Sequence, residues 1–264
     1  MAMINTVYEN FYLSNEIEDQ LKSHLDLQQF CTIDNTLTGV AGMKRKINVY
    51  RATDGTEKLG AGEGNTKSIT VSFSPEEYEI LLAQNRFDYL DEEAMTDPMV
   101  VPTGTKHMGT DLFNTMNADI FAEFQKATLS VAASAPDFAA FVDAQAKLNL
   151  ENLEGTSVFG WVCPADMAKV RKALKDDLKY VEADAVKKGY VGTVAGISLF
   201  TKKDCTEGEI IIATKDAVTL FHKKGTEVEQ ERDGNTRKNS IFSRKYYVAA
   251  LTDETKAVKI TIGA

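Results

Sequence analysis

The stretch Gly60-Ala61-Gly62-Glu63-Gly64-Asn65-Thr66-Lys67-Ser68 has the glycine content and the Lys-Ser ending of a phosphate-binding loop. Such a loop wraps phosphate in backbone N–H groups and needs a glycine directly before its lysine. Thr66 stands there instead, and the Glu63 carboxylate would repel the ligand. A hairpin tip is the better reading. The histidines His24, His107 and His222 have no Cys or His at the short spacing that structural zinc requires, and no Gly-x-Ser-x-Gly elbow presents a serine nucleophile. Asp88, Asp91, Glu92, Glu93 and Asp97 offer the carboxylate oxygens a divalent cation prefers, but lack the glycine-turned loop of a calcium site. A solvated acidic face explains them more simply. Cys31, Cys163 and Cys205 are few, odd in number and widely spaced, which suits structural thiols in a reducing cytosol. No catalytic residue, cofactor or metal is implied.

The elements around these residues are easier to read. Residues 47–50 and 68–73 alternate apolar with polar, the period of strands. Between them lies a polar, glycine-rich stretch too long for a tight turn, so the pair reads as a long projection with a mobile tip. A further strand over 78–89 returns to the body, with a helix over 75–85 as the alternative. Pro98 and Pro102 then mark a break. Met108, Leu112, Met116, Ile120 and Phe124 recur at i+4, with Phe113 and Phe121 broadening the stripe, and predict a helix over 103–129. Asp111, Asn114, Asn117 and Glu123 fill its other faces.

A shorter amphipathic helix is predicted over 137–150, a buried strand over 157–162, and a helix opened by Pro164 over 165–174. Residues 189–200, 209–213, 218–221, 241–250 and 258–262 read as turn and strands. Near the start, a short helix over 16–21, capped by Ser14 or Asn15, lies in an arm with little apolar surface to bury by itself. The set is α+β.

Composition narrows the function. A net charge of −9 without a basic tail opposes tight binding to polyanions, which requires lysine and arginine to displace counterions. The start of the chain has no apolar run of a secretion signal, and no stretch is long and apolar enough to span a bilayer. At 264 residues the chain can bury a core without metal or disulfide staples.

The order of elements (arm, glycine-tipped hairpin, long helix, compact α+β lobe and returning strand pair) resembles the Hong Kong 97 fold of tailed-phage major capsid proteins and encapsulins. The similarity rests most on Gly42-Met43-Lys44-Arg45-Lys46-Ile47-Asn48-Val49-Tyr50 leading into the hairpin. It rests also on Gly192-Thr193-Val194-Ala195-Gly196-Ile197, Glu209-Ile210-Ile211-Ile212 and Arg244-Lys245-Tyr246-Tyr247-Val248-Ala249-Ala250. The last three stretches look like the lobe-to-platform return of capsid proteins from phages of anaerobic, mostly Gram-positive bacteria.

The resemblance implies an N-arm over 1–35, an extended E-loop over 36–86, and a peripheral domain with its spine helix over 87–150. It implies an axial domain over 151–224 and closing strands of the peripheral domain over 225–264. It implies a coat protein, not an enzyme, that assembles with itself into pentamers and hexamers. The E-loop tip (Asp54, Gly55, Thr56, Glu57, Lys58, Leu59, Gly60, Gly62, Glu63, Gly64 and Asn65) would touch a neighbouring subunit. Because the arm begins directly after Met1, a separate scaffolding protein, or none, is implied, together with a portal. The shell would form in the host bacterial cytoplasm and enclose double-stranded DNA without gripping it, with no membrane partner. In some members a lysine joins a neighbour's asparagine, a role Lys58 or Lys67 could take. Two rivals stand beside this reading: an encapsulin-type compartment enclosing a cargo enzyme, and a soluble α+β enzyme using the lobe from Glu151 onward.

Overall fold

The computed structural model describes residues 25–150, 156–174 and 192–263. The predicted arm helix over 16–21, His24 and residues 189–191 lie outside them.

Two sheets and a ribbon organise the chain. The ribbon pairs β2 (Lys44–Ala52) with β3 (Val71–Glu79), from Lys44 opposite Glu79 to Ala52 opposite Val71. The second strand thus starts later than predicted and runs through Pro75, which lies opposite Asn48. A two-stranded ribbon has only edges, where a residue without an N–H is tolerated.

After the single residue Ile80, the chain enters β4 (Leu81–Leu90), so the segment after Pro75 is two successive strands and not a helix. β4 borders a four-stranded sheet of order β1-β10-β11-β4, in which β1 is Thr32–Asp34, β10 Val218–Asp233 and β11 Lys238–Leu251. Against one face lies α2 (Val100–Gln125), 26 residues and about 39 Å long. Side chains of β4 and β11 bond to the helix directly. Asn85 donates to the Met108 carbonyl at 2.9 Å, and the Tyr247 hydroxyl donates to Asp119 at 2.6 Å.

Both ends of α2 differ from expectation. Pro102 does not break it but sits in its first turn, where backbone N–H groups have no helical partner to lose. At the other end the i+4 stripe is exhausted at Phe124, and Leu129 opens the strand β5 (Leu129–Ala133). Leu112 and Phe113 are half-buried, whereas Asn117, expected on a solvated face, is buried.

The second sheet has six strands in the order β5-β12-β9-β6-β8-β7. Here β6 is Val158–Val162, β7 Thr193–Val194, β8 Ile197–Thr201, β9 Glu209–Thr214 and β12 Ala257–Ile262. One face is covered by α3 (Phe138–Leu148), capped by the Asp137 carboxylate, and α4 (Pro164–Ala173), opened by Pro164 as predicted. Phe141, Ala144, Met167 and Val170 pack there on Ile197, Ile210, Ile212 and Ile260. Gly160 allows this closeness, since a Cβ there would lie 2.8 Å from the Leu199 side chain.

The opposite face joins the two sheets. Trp161 and Ile211 pack on Ile120 and Phe124 of α2, and Phe30 inserts its ring 4.7–5.6 Å from Phe159, Trp161 and Phe200. Sheet membership does not follow the linear divisions 87–150, 151–224 and 225–264. Residues 129–148 and 257–262 belong with the six-stranded sheet, while β10 and β11 build the other.

Candidate functional site: the hairpin tip

The ribbon leaves the body at a braced root. Tyr78 stacks on Phe221 with ring centroids 5.4 Å apart, Ile80 donates its N–H to the Met43 carbonyl at 2.7 Å, and Arg45 lies 3.7 Å from Asp34. Lys44–Glu79 and Lys46–Glu77 ion pairs run across the exposed ribbon, so the Lys44-Arg45-Lys46 run is largely matched by acids.

All the predicted tip residues fall in the loop between β2 and β3. That loop is a built structure, where a mobile stretch was expected. Thr53 donates to the Thr70 carbonyl at 3.0 Å, and the Thr70 N–H returns to the Thr53 hydroxyl at 2.9 Å. The Glu57 carboxylate accepts the Thr66 hydroxyl and N–H, each at 2.7 Å, and the Lys67 N–H at 3.3 Å. Those bonds hold its carboxyl below the usual range. Asn65 donates to the carbonyls of Gly55 and Lys67, and Glu63 accepts the Gly60 N–H at 2.9 Å. Gly55 is buried by necessity, since a Cβ would meet Ile69 at 2.7 Å. Polar side chains thus replace the apolar area that composition alone finds missing.

The finished tip presents Leu59, Ile69 and Val71, 48, 63 and 49% exposed, beside the exposed Lys58 and Lys67. Its N–H groups at Gly60, Thr66 and Lys67 are already engaged by carboxylates, and a strand follows Lys67 where a phosphate loop requires a helix. These features do not fit a phosphate site.

Other candidate residues serve the fold. The acids from Asp88 to Asp97 are not simply solvated. Asp88 pairs with Arg86 at 2.7 Å and Lys238 at 2.9 Å, Asp91 with Arg232 at 2.6 Å, and Glu92 with Arg237 at 2.6 Å. They fasten α1 (Asp91–Thr96) to the β10–β11 turn. Burial would raise the Asp88 carboxyl, but hydrogen bonds from Lys238, Ser240 and Arg86 outweigh it and hold the group at about 2. His222 is half-buried, and burial with nearby Lys245 lowers its pKa, while His107 is exposed. Among the described residues, no group of three or more His, Cys, Asp or Glu is placed to hold a metal ion.

The cysteines need correction. Cys163 and Cys205 are disulfide-bonded, with Cα atoms 5.6 Å apart, and Cys31 is the free, buried one. Spacing of 42 residues carries no pairing signal. The parallel pairing of β6 with β8 places Val162 opposite Thr201, so the residues following each strand arrive at the same end of the sheet.

No family model matches the chain. It is 28% identical over 257 residues to the major capsid protein of Staphylococcus phage phiMR11, covering 96% of this chain and 92% of that one. Among solved structures, the capsid of Cyanophage P-SCSP1u superposes with a TM-score of 0.76 at 13% identity, covering 96% of this chain and 92% of the other. A chain from Mycobacterium phage Che8 gives 0.72 at 16% identity, covering 98% of each. At such identities the structural likeness is one of fold.

Proposed function

We propose that this chain, which has the α+β Hong Kong 97-like capsid fold, is the major capsid protein of a tailed double-stranded DNA phage. The observation that carries the reading is the end-to-end similarity to a phage major capsid protein, together with the superposition on phage capsids over nearly the whole length. Its work is assembly and not catalysis. A heterologous contact repeated by rotation closes rings, and rings joined through further contacts close a shell. Pentamers and hexamers are built around an axial domain that corresponds to the six-stranded sheet with α3 and α4. The four-stranded sheet with α2 forms the peripheral domain.

The tip residues 54–65 reach a neighbouring subunit, and Leu59, Ile69 and Val71 supply apolar area for that contact. Support comes from a root braced on the body and a tip whose internal hydrogen bonds pre-pay its ordering entropy. Several modest contacts per subunit give avidity without strong pairing. Assembly takes place in the host cytoplasm, with a scaffolding protein and a portal as partners. The product is the virion shell. Among the described residues no helix is long and apolar enough to cross a membrane. The net charge of −9 supports a shell that encloses DNA without gripping it.

Electron microscopy of the purified protein, with analysis of what the particles enclose, tests the reading. Closed shells that package DNA when co-produced with the phage packaging proteins are expected. A monomer that never assembles would refute it, and shells filled only with a cargo enzyme would favour the encapsulin reading.

A further inference from the structure

We infer that Cys163 and Cys205 form a reversible thiol–disulfide site, open in the host cytoplasm and closed after release by a small disulfide oxidant of the glutathione class. The inference rests on the coat-protein reading for its two compartments, since reducing cytosol keeps thiols open and the medium outside does not.

The site is pre-assembled by contacts that do not involve sulfur. Cys163 is the residue before Pro164 at the start of α4, and Cys205 lies in the 202–208 loop leading into β9. The Asp166 carboxylate, fully buried, accepts the Gly208 N–H at 2.6 Å and pairs with Lys169 at 2.7 Å. Lys202 donates its N–H to the Val162 carbonyl at 3.0 Å. Loop and helix are therefore held in register whether or not the sulfurs are joined.

In the bonded state Cys163 Sγ lies 2.9 Å from the Cys205 carbonyl and Cys205 Sγ 2.9 Å from the Lys202 carbonyl, so a thiol released on reduction has a backbone acceptor nearby. With Cα atoms 5.6 Å apart, the bonded pair sits inside the range a disulfide ordinarily spans. Cys31 does not compete. It is fully buried, its thiol faces the Leu27 carbonyl at 3.4 Å, and burial with nearby Asp26 pushes it up to about 12.

Exposure assigns the two roles. Cys163 is 3% exposed and Cys205 is partly exposed. The Cys205 thiol gives its proton to solvent, and the thiolate attacks one sulfur of the oxidant, expelling one small thiolate and leaving a mixed disulfide on Cys205. Cys163, deprotonated in turn, attacks Cys205 Sγ and expels the second. Two electrons pass from the protein to the oxidant, one small disulfide is consumed, and two small thiols are produced. Closure ties the β9-leading loop to α4, the helix covering one face of the six-stranded sheet.

The test is thiol mapping by mass spectrometry. Particles are taken from cells by acid quench, then unfolded and alkylated with N-ethylmaleimide. Three alkylated cysteines are expected per chain before release, and Cys31 alone after incubation with oxidised glutathione, with a linked Cys163–Cys205 peptide. In Cys163→Ser, the glutathione adduct should accumulate on Cys205, whereas Cys205→Ser should leave Cys163 unmodified. Dithiothreitol should lower the Tm of the oxidised protein by roughly 5–10 °C and leave that of Cys163→Ser unchanged. A bond already complete inside the cell, no bond after oxidant, or an adduct on Cys163 would overturn the inference. Micrographs of the same particles judge the coat-protein reading separately, because the thiol mapping is read on the chain whether or not shells appear.

Discussion

Asn117 and Leu27 are joined by a hydrogen bond across 90 positions of sequence: the Leu27 N–H donates to the Asn117 side-chain carbonyl at 3.0 Å. The same amide donates to the Leu25 carbonyl at 3.1 Å. One buried side chain of α2 thus satisfies two backbone groups of the incoming segment and seats Leu27 and Phe30 in the core. Asn117→Ala should cost about 1–3 kcal/mol, chiefly because the Leu27 N–H stays buried without the side-chain carbonyl that accepts it. Urea unfolding of the subunit measures it, and a loss within about 0.5 kcal/mol would mean that water replaces the amide.

Two glycines of α2 should respond to alanine with opposite signs. A Cβ at Gly104 would lie 2.4 Å from the Phe87 ring, whereas one at Gly109 meets nothing within 4 Å. Gly109→Ala should stabilise by about 0.5–1 kcal/mol through helix propensity. Gly104→Ala should destabilise by about 1–3 kcal/mol through overpacking. Equal effects in thermal melts would contradict this packing of α2 on β4.

The ion pairs around α1 carry a pH signature. Asp88 is held at about 2, and Asp91 is lowered by hydrogen bonds from Arg232 and Asn239. Unfolded carboxyls titrate near 3.9, so between about pH 4 and pH 2 the unfolded chain binds more protons than the folded one. Stability from these groups is present above pH 4 and is lost as pH falls through that window. Asp88→Asn should lower the Tm at pH 7 and flatten its decline between pH 4 and pH 2.

The hairpin tip separates folding from assembly. Deleting residues 54–65 should leave a soluble subunit whose circular dichroism and melting are close to those of the intact chain. Complete shells should fail to form in micrographs. Normal shells from the deletion would remove the tip from the contacts that close the shell.

DNA should meet the subunit only weakly. With net charge −9, binding to a labelled duplex should be no tighter than ~10⁻⁴ M at physiological salt and nearly independent of salt. A micromolar complex with a steep salt slope in a fluorescence titration would reveal a basic inner face hidden within the overall charge.

Local pattern was enough to place most of the larger elements, though not β1, α1 or β5. The i+4 stripe through Met116, Ile120 and Phe124, the alternation before the hairpin tip, and Pro164 opening α4 are consequences of how a single segment must turn one face inward. The glycine-rich stretch marked where the candidate contact lies, and the order of elements carried the resemblance to the capsid fold. Which partner each face meets was decided only in three dimensions. β12 lies parallel to β5, so Val258 stands opposite Leu129, and nothing near either residue specifies the other. The same holds for the inward turn of Asn117, the acids of α1 paired to Arg232 and Arg237, and Cys205 delivered to Cys163 by two neighbouring strands. Even the tip's order comes from Glu57 reaching Thr66 nine positions on. Periodicity reports a residue's environment as apolar or polar, but a hydrogen bond, an ion pair or a disulfide depends on a specific second residue whose arrival is set by the packing of the whole chain.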